Sequence, residues 1–584
     1  MIDRLSHPRL RVELSDSTVV ETGIDAWGSQ AVGPLTVGIE PSSDGWTWSV
    51  ANPGEHRVGV MSVDVCWDAG RADPEAAPRF FRNGYQSWSR SAVAHLGVDR
   101  DPSTTDGSLG LVRGMHHADP RVAADAWLRS ELVTLLALDD DELRLVGFLG
   151  GATHDGTIWA RLDDAGHVEL RASAYLGGAQ LAPGTERVLH PVVLAEGHPQ
   201  EASATLETWA RRAGEASEAR TTAPFRAGWC SWYHYFHDIT EATLRHNLAR
   251  AGDWPIEVFQ LDDGYQTAIG DWLTTNDRFS SSLDRIADDV RSAGVTPGIW
   301  TAPFLVAPDS DTARRHPEWI AGHASGRPLV GMVNPGWGGP VHTLDTSHPD
   351  VLHHIETTAA ALVDAGFTYL KLDFTYAPSF DGVFADASLT PAERVRAGMD
   401  AVRRGAGDDT FLLGCGLPLG AGIGVVDGMR IGADVAPWWD VQPDQWNPPG
   451  YTEVEPATRN AWVNTLTRSF MHRQLWLNDP DCLMLRTTDT SLPPAAARAW
   501  ALAVGVSGGM ALVSDDLALL DASAQALLHE VLDLGAESDR RAREGAPARC
   551  VDLLETDHPV VLASGEWAIT GARDGTRGTL SRRT

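Results

Sequence analysis

The feature that most constrains the fold is a regular alternation of short apolar runs with amphipathic helical segments. Eight apolar runs of strand length occur in one region of the chain: 225–232, 256–263, 296–303, 367–374, 410–416, 427–434, 475–479 and 509–516. Strands that alternate with helices pair in parallel, because each helix carries the chain back across the sheet. Eight such units in succession predict a (β/α)8 TIM barrel over residues 223–535.

The flanking segments have different patterns and predict two further domains. Residues 1–198 alternate polar and apolar side chains between Gly and Asp turn signals, which predicts an antiparallel β-sandwich. The predicted strands lie in seven runs: 35–40, 46–52, 56–67, 142–151, 156–162, 167–178 and 186–197. Residues 199–222 predict a polar helical connector. Residues 536–584 predict a small C-terminal β domain with strands in the runs 550–555, 559–565 and 566–571. A chain of 584 residues is long enough for several domains. The predicted fold class is therefore multidomain α/β with a central barrel.

Charge and composition narrow the choice of partners. The 47 Lys and Arg residues against 79 Asp and Glu give a net charge of −32, which repels nucleic-acid phosphates and anionic membrane surfaces. The sequence contains no apolar run long enough to span a bilayer, and its first residues contain no apolar signal segment. Five scattered cysteines without CxxC spacing favour reduced thiols. We expect a cytoplasmic protein without nucleic-acid or membrane partners, and the sequence leaves open whether it forms homo-oligomers.

Polar side chains follow almost every predicted barrel strand. In TIM barrels the active site lies at the carboxyl ends of the strands, so residues at these ends are candidate functional residues. They are Asp262, Asp263, Trp300, Lys371, Asp373, Cys415, Arg430, Asp434, Asn478, Asp479, Asp515 and Asp516. Carboxylates follow at least five of the eight strands, which is more than a purely structural barrel needs.

Lys371 is unusual because it is the only lysine among the 47 basic residues. Retaining one lysine in such a chain indicates a place where the wider, planar guanidinium of arginine does not fit. In the run 367–374, Lys371 and Asp373 share one side of the strand, and the alternating apolar residues, Phe374 included, share the other. The apolar side is expected to pack on the helices, so the polar side points into the barrel mouth.

The same alternation places Arg430 and Asp434 on one face of the sixth strand. Two inward carboxylates on different strands, with cations beside them, are the equipment of a glycosidase. One carboxylate attacks the anomeric carbon or activates water, and the other donates a proton to the leaving oxygen. Neighbouring cations keep a carboxylate ionised, which suits a nucleophile better than an acid. Composition alone does not decide which carboxylate takes which role.

Eight sequence motifs resemble those of the α-galactosidases of glycoside hydrolase family 36, in clan D. They occur in the family's order: NGYQSWS (83–89), FRAGWCSWYHYF (225–236), VFQLDDGYQTAIGDW (258–272), PGIWTAPF (297–304), YLKLDF (369–374), LLGCGLPL (412–419), VDGMRIGADVAPWW (426–439) and LWLNDPDCLMLR (475–486). The resemblance implies an N-terminal β-supersandwich, a catalytic barrel and a C-terminal β domain. It also implies a retaining exo-glycosidase that releases terminal α-linked galactose through a β-galactosyl-aspartate intermediate.

Individual residues match the family's functional positions. The resemblance implies that Asp373 is the nucleophile and Asp434 the acid/base. It implies further that the following residues surround the galactose: Asp262 and Asp263 beside O4 and O6, Lys371 beside O3 and O4, Trp300 as a pocket wall, Cys415 and Arg430 near O2, Trp88 inserted from the N-terminal domain and, more weakly, Tyr233. The reaction needs no cofactor, and the histidines lack the spacing of a metal site. The expected partner is a small α-galactoside.

Several alternatives stay open. An α-N-acetylgalactosaminidase or a galactosyl transferase similar to raffinose synthase would share this machinery, although Cys415 and Arg430 near O2 argue against an acetamido group. A Schiff-base aldolase would use Lys371 but needs a lowered amine pKa, whereas the flanking carboxylates should raise it. A non-catalytic sugar-binding protein would need the pocket but not both Asp373 and Asp434.

Overall fold

The computed structural model describes residues 5–72, 77–105, 110–442 and 452–583. Its N-terminal part contains fourteen strands: β1 (Ser6–Leu14), β2 (Val19–Gly23), β3 (Gly28–Val32), β4 (Leu35–Pro41), β5 (Gly45–Ala51), β6 (Val58–Arg71), β7 (Arg79–Arg82), β8 (Ala92–His95), β9 (Leu128–Glu131), β10 (Val133–Ala137), β11 (Leu143–Phe148), β12 (Asp155–Leu162), β13 (His167–Leu181) and β14 (Glu186–Gly197). Two short helices, α1 (Pro102–Thr105) and α2 (Gly110–His116), separate β8 from β9.

These strands form two antiparallel sheets that pack face to face. The first sheet has the order β2-β1-β6-β13-β12-β9, and the second has the order β3-β4-β5-β14-β11-β10-β7-β8. Alternate residues of both sheets, such as Val63 and Trp48, meet in one apolar core, as the predicted β-sandwich requires. The sequence pattern identified seven of the strands, β4–β6 and β11–β14, and missed the other seven.

The segment between the sandwich and the barrel is the helix α3 (Ala202–Ala216). The sequence indicated a polar connector, but the helix is amphipathic and buries Leu206, Trp209 and Ala213. The Trp209 indole donates a hydrogen bond of 3.0 Å to the Phe148 carbonyl of the sandwich. The helix therefore packs as part of the core instead of bridging through solvent.

The predicted barrel is confirmed. This region contains the strands β15 (Ala227–Cys230), β16 (Val258–Leu261), β17 (Thr296–Thr301), β18 (Leu305–Val306), β19 (Val330–Asn334), β20 (Gly339–Thr343), β21 (Tyr369–Leu372), β22 (Phe411–Gly414), β23 (Gly428–Arg430), β24 (Leu477–Asp479) and β25 (Ala511–Val513). All except β18–β20 form one parallel sheet in the order β24-β23-β22-β21-β17-β16-β15-β25. A hydrogen bond of 2.9 Å from the Met510 amide to the Asn478 carbonyl joins its two ends. Each of the eight strands in this parallel sheet lies within one of the eight predicted runs.

Helices surround the barrel between its strands. They are α4 (Trp232–Tyr235), α5 (Glu241–Ala251), α6 (Leu283–Ser292), α7 (Asp311–Arg315), α8 (Pro349–Asp364), α9 (Pro391–Ala406), α10 (Leu419–Gly422), α11 (Thr458–Thr467), α12 (Pro494–Ser507) and α13 (Ala522–Arg543). The link from β22 to β23 contains only the four-residue α10, so this β/α unit lacks a full helix. A three-stranded sheet, β18-β20-β19, is inserted after β17.

The C-terminal part is a small antiparallel sheet of β26 (Arg549–Cys550), β27 (Val561–Ser564), β28 (Trp567–Gly571) and β29 (Gly578–Arg582). Helix α13 continues past residue 535, so the chain enters this sheet later than the sequence boundary indicated. The predicted strand at 550–555 is mostly a turn, and β29 was not predicted. Within the four described ranges, no helix is long and apolar enough to cross a membrane.

Arg468, just after α11, joins the barrel to the sandwich. Its fully buried guanidinium donates hydrogen bonds to the Ser91 hydroxyl and to four backbone carbonyls. These acceptors are Ser91 Oγ at 2.8 Å, Ser87 O at 2.7 Å, Ser89 O at 2.8 Å, Gln86 O at 3.2 Å and Ile431 O at 2.9 Å. Four of the five lie in the segment 86–91, so one barrel side chain determines the course of the loop that contains Trp88.

Replacing Arg468 with Met should destabilise the protein strongly. The substitution leaves several buried acceptors without a donor, and each such group costs about 1–3 kcal/mol, so the free energy of unfolding should fall by at least about 3 kcal/mol. Denaturant unfolding would measure the change. As a control, Arg404→Met removes an exposed ion pair with Glu356, which should contribute about 0–1 kcal/mol. Equal losses in both variants would contradict the role given to Arg468.

Candidate active site

The carboxyl ends of β16 and β21 bring Lys371 and Asp262 together inside the barrel mouth. The Lys371 ammonium donates a hydrogen bond of 2.9 Å to Asp262 Oδ2, and both side chains are buried. Burial by itself would lower the pKa of the Lys371 ammonium, but the negative charges of Asp262 and Asp373 raise it well above its usual range. The only lysine of the chain is therefore a buried, charged group, as the alternation along β21 predicts.

The two adjacent carboxylates after β16 have separate sets of partners. Asp262 Oδ2 also accepts a hydrogen bond of 2.5 Å from the Gln260 amide. Asp263 accepts hydrogen bonds from Gln266 Nε2 at 2.6 Å and from the Trp337 indole at 2.7 Å. These donors fix the orientation of both carboxylates.

Asp373 lies directly after β21 and is also buried. Trp300 Nε1 donates to its Oδ2 at 2.9 Å, and the Phe374 amide donates to its Oδ1 at 2.9 Å. Burial raises the pKa of Asp373, and the nearby Asp434 carboxylate raises it further; the charge of Lys371 and the Trp300 hydrogen bond oppose this rise. Both oxygens are thus held by N–H donors that favour the ionised form.

Arg430, at the end of β23, is surrounded by three carboxylates. Its Nη1 donates to Asp434 Oδ1 at 2.9 Å and to Asp481 Oδ2 at 2.8 Å. Nη2 lies 2.7 Å from Asp481 Oδ1, and Nε lies 3.3 Å from Asp479 Oδ2. Burial raises the pKa of Asp481 to about 6, against the lowering effect of Arg430. Asp434 is the most accessible of the three, with 33% of its side chain exposed, which gives it contact with solvent.

Tyr233 and Cys415 lie beside this cluster. The Tyr233 hydroxyl donates to Asp481, so the structure connects this predicted sugar-binding residue to Arg430 through a carboxylate. Cys415 follows β22, and burial raises the pKa of its thiol well above the usual range. The thiol is therefore a neutral group in the mouth, next to Asp373.

Two details of the strand-alternation argument were wrong. Phe374 does not pack on the helices, because β21 ends at Leu372 and the Phe374 backbone has a φ of 52°, in the left-handed region that reverses the direction of the side chain. Strand β23 ends at Arg430, so alternation does not place Asp434. Instead, its ion pair with Arg430 holds Asp434 beside the mouth.

An aromatic wall closes one side of the mouth, with rings supplied by three different parts of the chain. Trp88 comes from the sandwich, Trp337 from the turn between β19 and β20, and Phe374 from the end of β21. Ring centroids are 5.1 Å apart for Trp88 and Phe374, 5.0 Å for Phe374 and Trp337, and 6.1 Å for Trp337 and Trp300. These distances are typical of aromatic packing, so the rings form one continuous surface.

Gly416 allows the Trp88 loop to approach the barrel. Its φ is +54°, and a Cβ atom there would lie 3.0 Å from the Trp88 ring. The Gly416 amide also donates a hydrogen bond of 2.7 Å to the Ser87 hydroxyl. A larger residue would be strained and would push Trp88 away from the mouth.

The barrel region is similar to known proteins in sequence. A family model described as Melibiase matches residues 228–378. Over 174 residues the chain is 30% identical to the α-galactosidase AgaA of Geobacillus stearothermophilus, in an alignment that covers 28% of this chain and 22% of AgaA. Over 97 residues it is 37% identical to an α-galactosidase of Escherichia coli, with 15% of this chain and 14% of that protein covered.

Solved structures extend the similarity to the whole chain. The crystal structure of AgaA, a family GH36 enzyme, has a TM-score of 0.61 at 15% identity over 97% of this chain and 79% of AgaA, a likeness of fold. TtGalA, an α-galactosidase from Thermus thermophilus in complex with p-nitrophenyl α-D-galactopyranoside, has a TM-score of 0.69 at 27% identity. That match covers 96% of this chain and 98% of TtGalA. The chain is similar to known α-galactosidases, among them the GH36 enzyme AgaA.

These matches confirm the resemblance identified from the motifs. The alignments with the curated relatives are local, however, and the chain spans about a fifth or less of the lengths of the AgaA and Escherichia coli proteins that it matches. Among the residues that the structure describes, no group of three or more His, Cys, Asp or Glu side chains is arranged to hold a metal ion.

The sequence did not correctly place three residues of the barrel mouth. Asp481 lies in the loop after β24, Trp337 lies in the inserted sheet, and Phe374 was placed on the wrong side. The motif LWLNDPDCLMLR contained a signal for Asp481, because its second aspartate follows a strand end by two residues. No local pattern identifies Trp337, since only the inserted sheet brings it to Asp263.

Lys371 offers a direct chemical test of the geometry. Reductive methylation can modify only this side chain and the α-amino group, and buried, charged Lys371 should react much more slowly than the α-amino group. Asp262→Asn removes the charge that raises the pKa of Lys371, so more neutral amine forms and methylation should become about tenfold faster or more. Intact-mass measurement follows both sites.

The matched control for this measurement is Asp263→Asn. Asp263 is adjacent in sequence but bonds to Trp337 and Gln266, not to Lys371, so its loss should change the Lys371 rate much less. If both variants accelerated methylation equally, the specific pairing of Lys371 with Asp262 would be wrong.

Proposed function

We propose that this chain hydrolyses terminal α-linked galactosides with retention of the anomeric configuration. The observation that carries the proposal is the arrangement of Asp373 and Asp434 in one mouth. Asp373 is buried between N–H donors, and Asp434 is partly open to solvent and paired with Arg430. Two carboxyl groups in such different environments are suited to the different roles of nucleophile and acid/base.

The proposed reaction has two displacements at the anomeric carbon. In the first, an Asp373 oxygen bonds to the carbon as the glycosidic C–O bond breaks, and the Asp434 carboxylic acid gives its proton to the departing oxygen. In the second, the Asp434 carboxylate takes a proton from water, which attacks the same carbon and releases Asp373. Each step inverts the configuration, so the product is α-galactose, and both carboxyl groups return to their initial protonation states.

The contacts of Asp373 support its role as nucleophile. Trp300 Nε1 and the Phe374 amide donate to separate carboxylate oxygens, and Lys371 adds a positive charge, so the ionised form is stabilised in a buried place. Asp434 has less protection from water, which suits a group that must exchange a proton with solvent in every turnover. The aromatic wall beside Asp373 would exclude other water from the intermediate.

The remaining residues are proposed to bind the sugar as the family resemblance implies. Lys371 and the pair Asp262 and Asp263 would bind hydroxyls on the O3, O4 and O6 side, and Trp300 would pack against the ring. Further contacts are assigned to Cys415 and Arg430 near O2, Trp88 above the pocket, and Tyr233. The contacts of Tyr233 favour an indirect role, because its hydroxyl is already bonded to Asp481.

Of the competing functions, the aldolase fits the site less well, and the two that share the catalytic carboxylates are distinguished by substrate and product measurements. A Schiff-base aldolase is disfavoured because the charges of Asp262 and Asp373 raise the pKa of Lys371, whereas that chemistry needs a neutral amine. A galactosyl transferase or an α-N-acetylgalactosaminidase would use the same carboxylates. The five free, buried cysteines favour a reducing, cytoplasmic location, and the oligomeric state stays a prediction for solution measurement.

Azide rescue tests the division of roles between the two carboxylates. Asp373→Gly should abolish turnover of an activated aryl α-galactoside, and azide should restore it and yield β-galactosyl azide, because azide replaces the nucleophile in a single displacement. Asp434→Gly should yield α-galactosyl azide instead, because azide attacks the covalent intermediate without a general base.

Asp263→Gly is the matched control, since it removes a pocket carboxylate that is assigned to binding alone. This variant should lose activity, and azide should not restore it. Product anomers opposite to those expected would reverse the roles of Asp373 and Asp434.

A pH profile tests the hydrogen bond from Trp300 to Asp373. Trp300→Phe removes a donor that lowers the pKa of Asp373, so this pKa should rise. Because the nucleophile must be ionised, the acid limb of kcat/KM should move to higher pH, by about one pH unit for a bond to a charged group. Trp272→Phe changes a ring that packs edge-on against Trp300 and should leave the limb in place. An unmoved limb in Trp300→Phe would contradict the assignment.

A further inference from the structure

The first sheet of the sandwich has a second face, which points away from the apolar core and is lined by polar residues. On this face Arg129, Trp159 and Arg171 are direct cross-strand neighbours on β9, β12 and β13. The loop that leads into β9 adds Trp127. The guanidinium of Arg171 lies 4.8 Å from the Trp127 ring centroid and 4.7 Å from that of Trp159, so this cation stacks between two indoles.

Arg171 differs from the other arginines around it. Within the described residues it makes no hydrogen bond and no ion pair, and its Nε atom is buried without an acceptor. Its neighbours all have carboxylate partners: Arg11 with Asp64 at 2.6 Å, Arg121 with Asp119 at 2.5 Å, Arg129 with Asp101 at 3.3 Å and Arg161 with Glu169 at 2.6 Å. An arginine without a carboxylate partner is unexpected in a chain that has 79 acidic residues and only 47 basic ones.

Arg171 lines a cavity of about 190 Å³. One water needs only about 10–15 Å³ measured in this way, so the space is large enough for a small organic molecule. Besides Arg171, its walls include the indoles of Trp127 and Trp159 and the hydroxyl of Ser62. In the described part of the chain, neither indole N–H nor this hydroxyl has a hydrogen-bond partner.

Each acidic side chain of the same cavity already pairs with an arginine. Asp64 pairs with Arg11 and accepts from Ser173 Oγ at 2.5 Å, Asp119 pairs with Arg121, and Glu13 pairs with both arginines. The groups left for a ligand are therefore donors: one guanidinium, two indole N–H groups and one hydroxyl. Such a set matches an oxyanion, because a stacked guanidinium keeps its N–H groups free at the edge of its plane.

We propose that this cavity is a binding site for a small organic oxyanion of about monosaccharide size, held chiefly by Arg171. A sugar carboxylate (a hexuronate) or a hexose phosphate has the required chemistry: an anionic group for Arg171 and a ring that can pack on the indoles. The cavity shares no residue with the candidate active site, so this proposal does not depend on the proposed hydrolysis.

Isothermal titration calorimetry at low ionic strength tests the site in the full chain. Galacturonate and galactose 6-phosphate are the organic probes, and inorganic phosphate is the free-ion probe. Excess galactose in every titration occupies the candidate active site, so anion binding there does not contribute. We expect saturable one-to-one binding of at least one organic anion, weakened by added salt; the preferred probe distinguishes a carboxylate from a phosphate ligand.

Arg171→Met keeps an apolar chain between the two indoles but removes the charge. It should weaken binding of the organic anion about tenfold or more and leave turnover of aryl galactosides unchanged. The matched control is Arg161→Met, because Arg161 also stacks on Trp127 but pairs with Glu169 and does not line the cavity. This control should change the affinity less than about twofold.

Several results would overturn the proposal. These are the absence of saturable binding by every anion, an affinity that Arg171→Met leaves unchanged, and an equal loss in Arg161→Met. Inorganic phosphate binding as tightly as the hexose phosphate would contradict an organic ligand. If Arg171→Met does not fold, Ser62→Val occupies part of the cavity without changing the charge; an unchanged affinity in that variant would likewise overturn the site.

Discussion

Two buried cations, Lys371 and Arg430, determine how the acidic side chains are arranged in the barrel mouth. Five carboxylates there are buried, and a sixth, Asp434, is partly exposed: Asp262, Asp263, Asp373, Asp479, Asp481 and Asp434. Burying like charges so close together is unfavourable unless cations and N–H donors compensate them. Lys371 holds Asp262 and lies beside Asp373, whereas Arg430 holds Asp434, Asp479 and Asp481. Each candidate catalytic carboxylate therefore depends on a different cation.

The rest of the molecule completes this arrangement from outside the barrel. The sandwich supplies Trp88, whose loop is held by Arg468 and by the Gly416 amide, and the inserted sheet supplies Trp337, which donates to Asp263. The strand ends alone would form an open, polar mouth. With both aromatic side chains in place, one side of the mouth becomes apolar, which favours the face of a sugar ring over bulk water. The site is thus a product of three separate regions of the chain.

The sequence predicted the barrel well because its strands are short, fully buried runs bounded by turn signals and amphipathic helices. It missed strands such as β9, whose four residues are all buried and show no alternation. The sequence identified Lys371 and Asp373 because both lie at the carboxyl end of a parallel strand, which is where the mouth of a TIM barrel forms. Phe374 was misplaced because a left-handed backbone angle is not visible in an alternation pattern. Arg468 and Trp337 act only through tertiary contacts, so no local pattern could reveal them.

If Asp373 and Asp434 act in sequence on α-galactosides, two displacements occur at the anomeric carbon and its configuration is retained. The anomer of the first product therefore reports directly on this reaction. Proton NMR can follow the turnover of p-nitrophenyl α-galactoside before mutarotation, beside the matching N-acetylgalactosaminide and α-glucoside. We expect α-galactose as the first product and faster turnover of the galactoside than of the other two sugars. β-Galactose as the first product, or faster turnover of either other sugar, would contradict it.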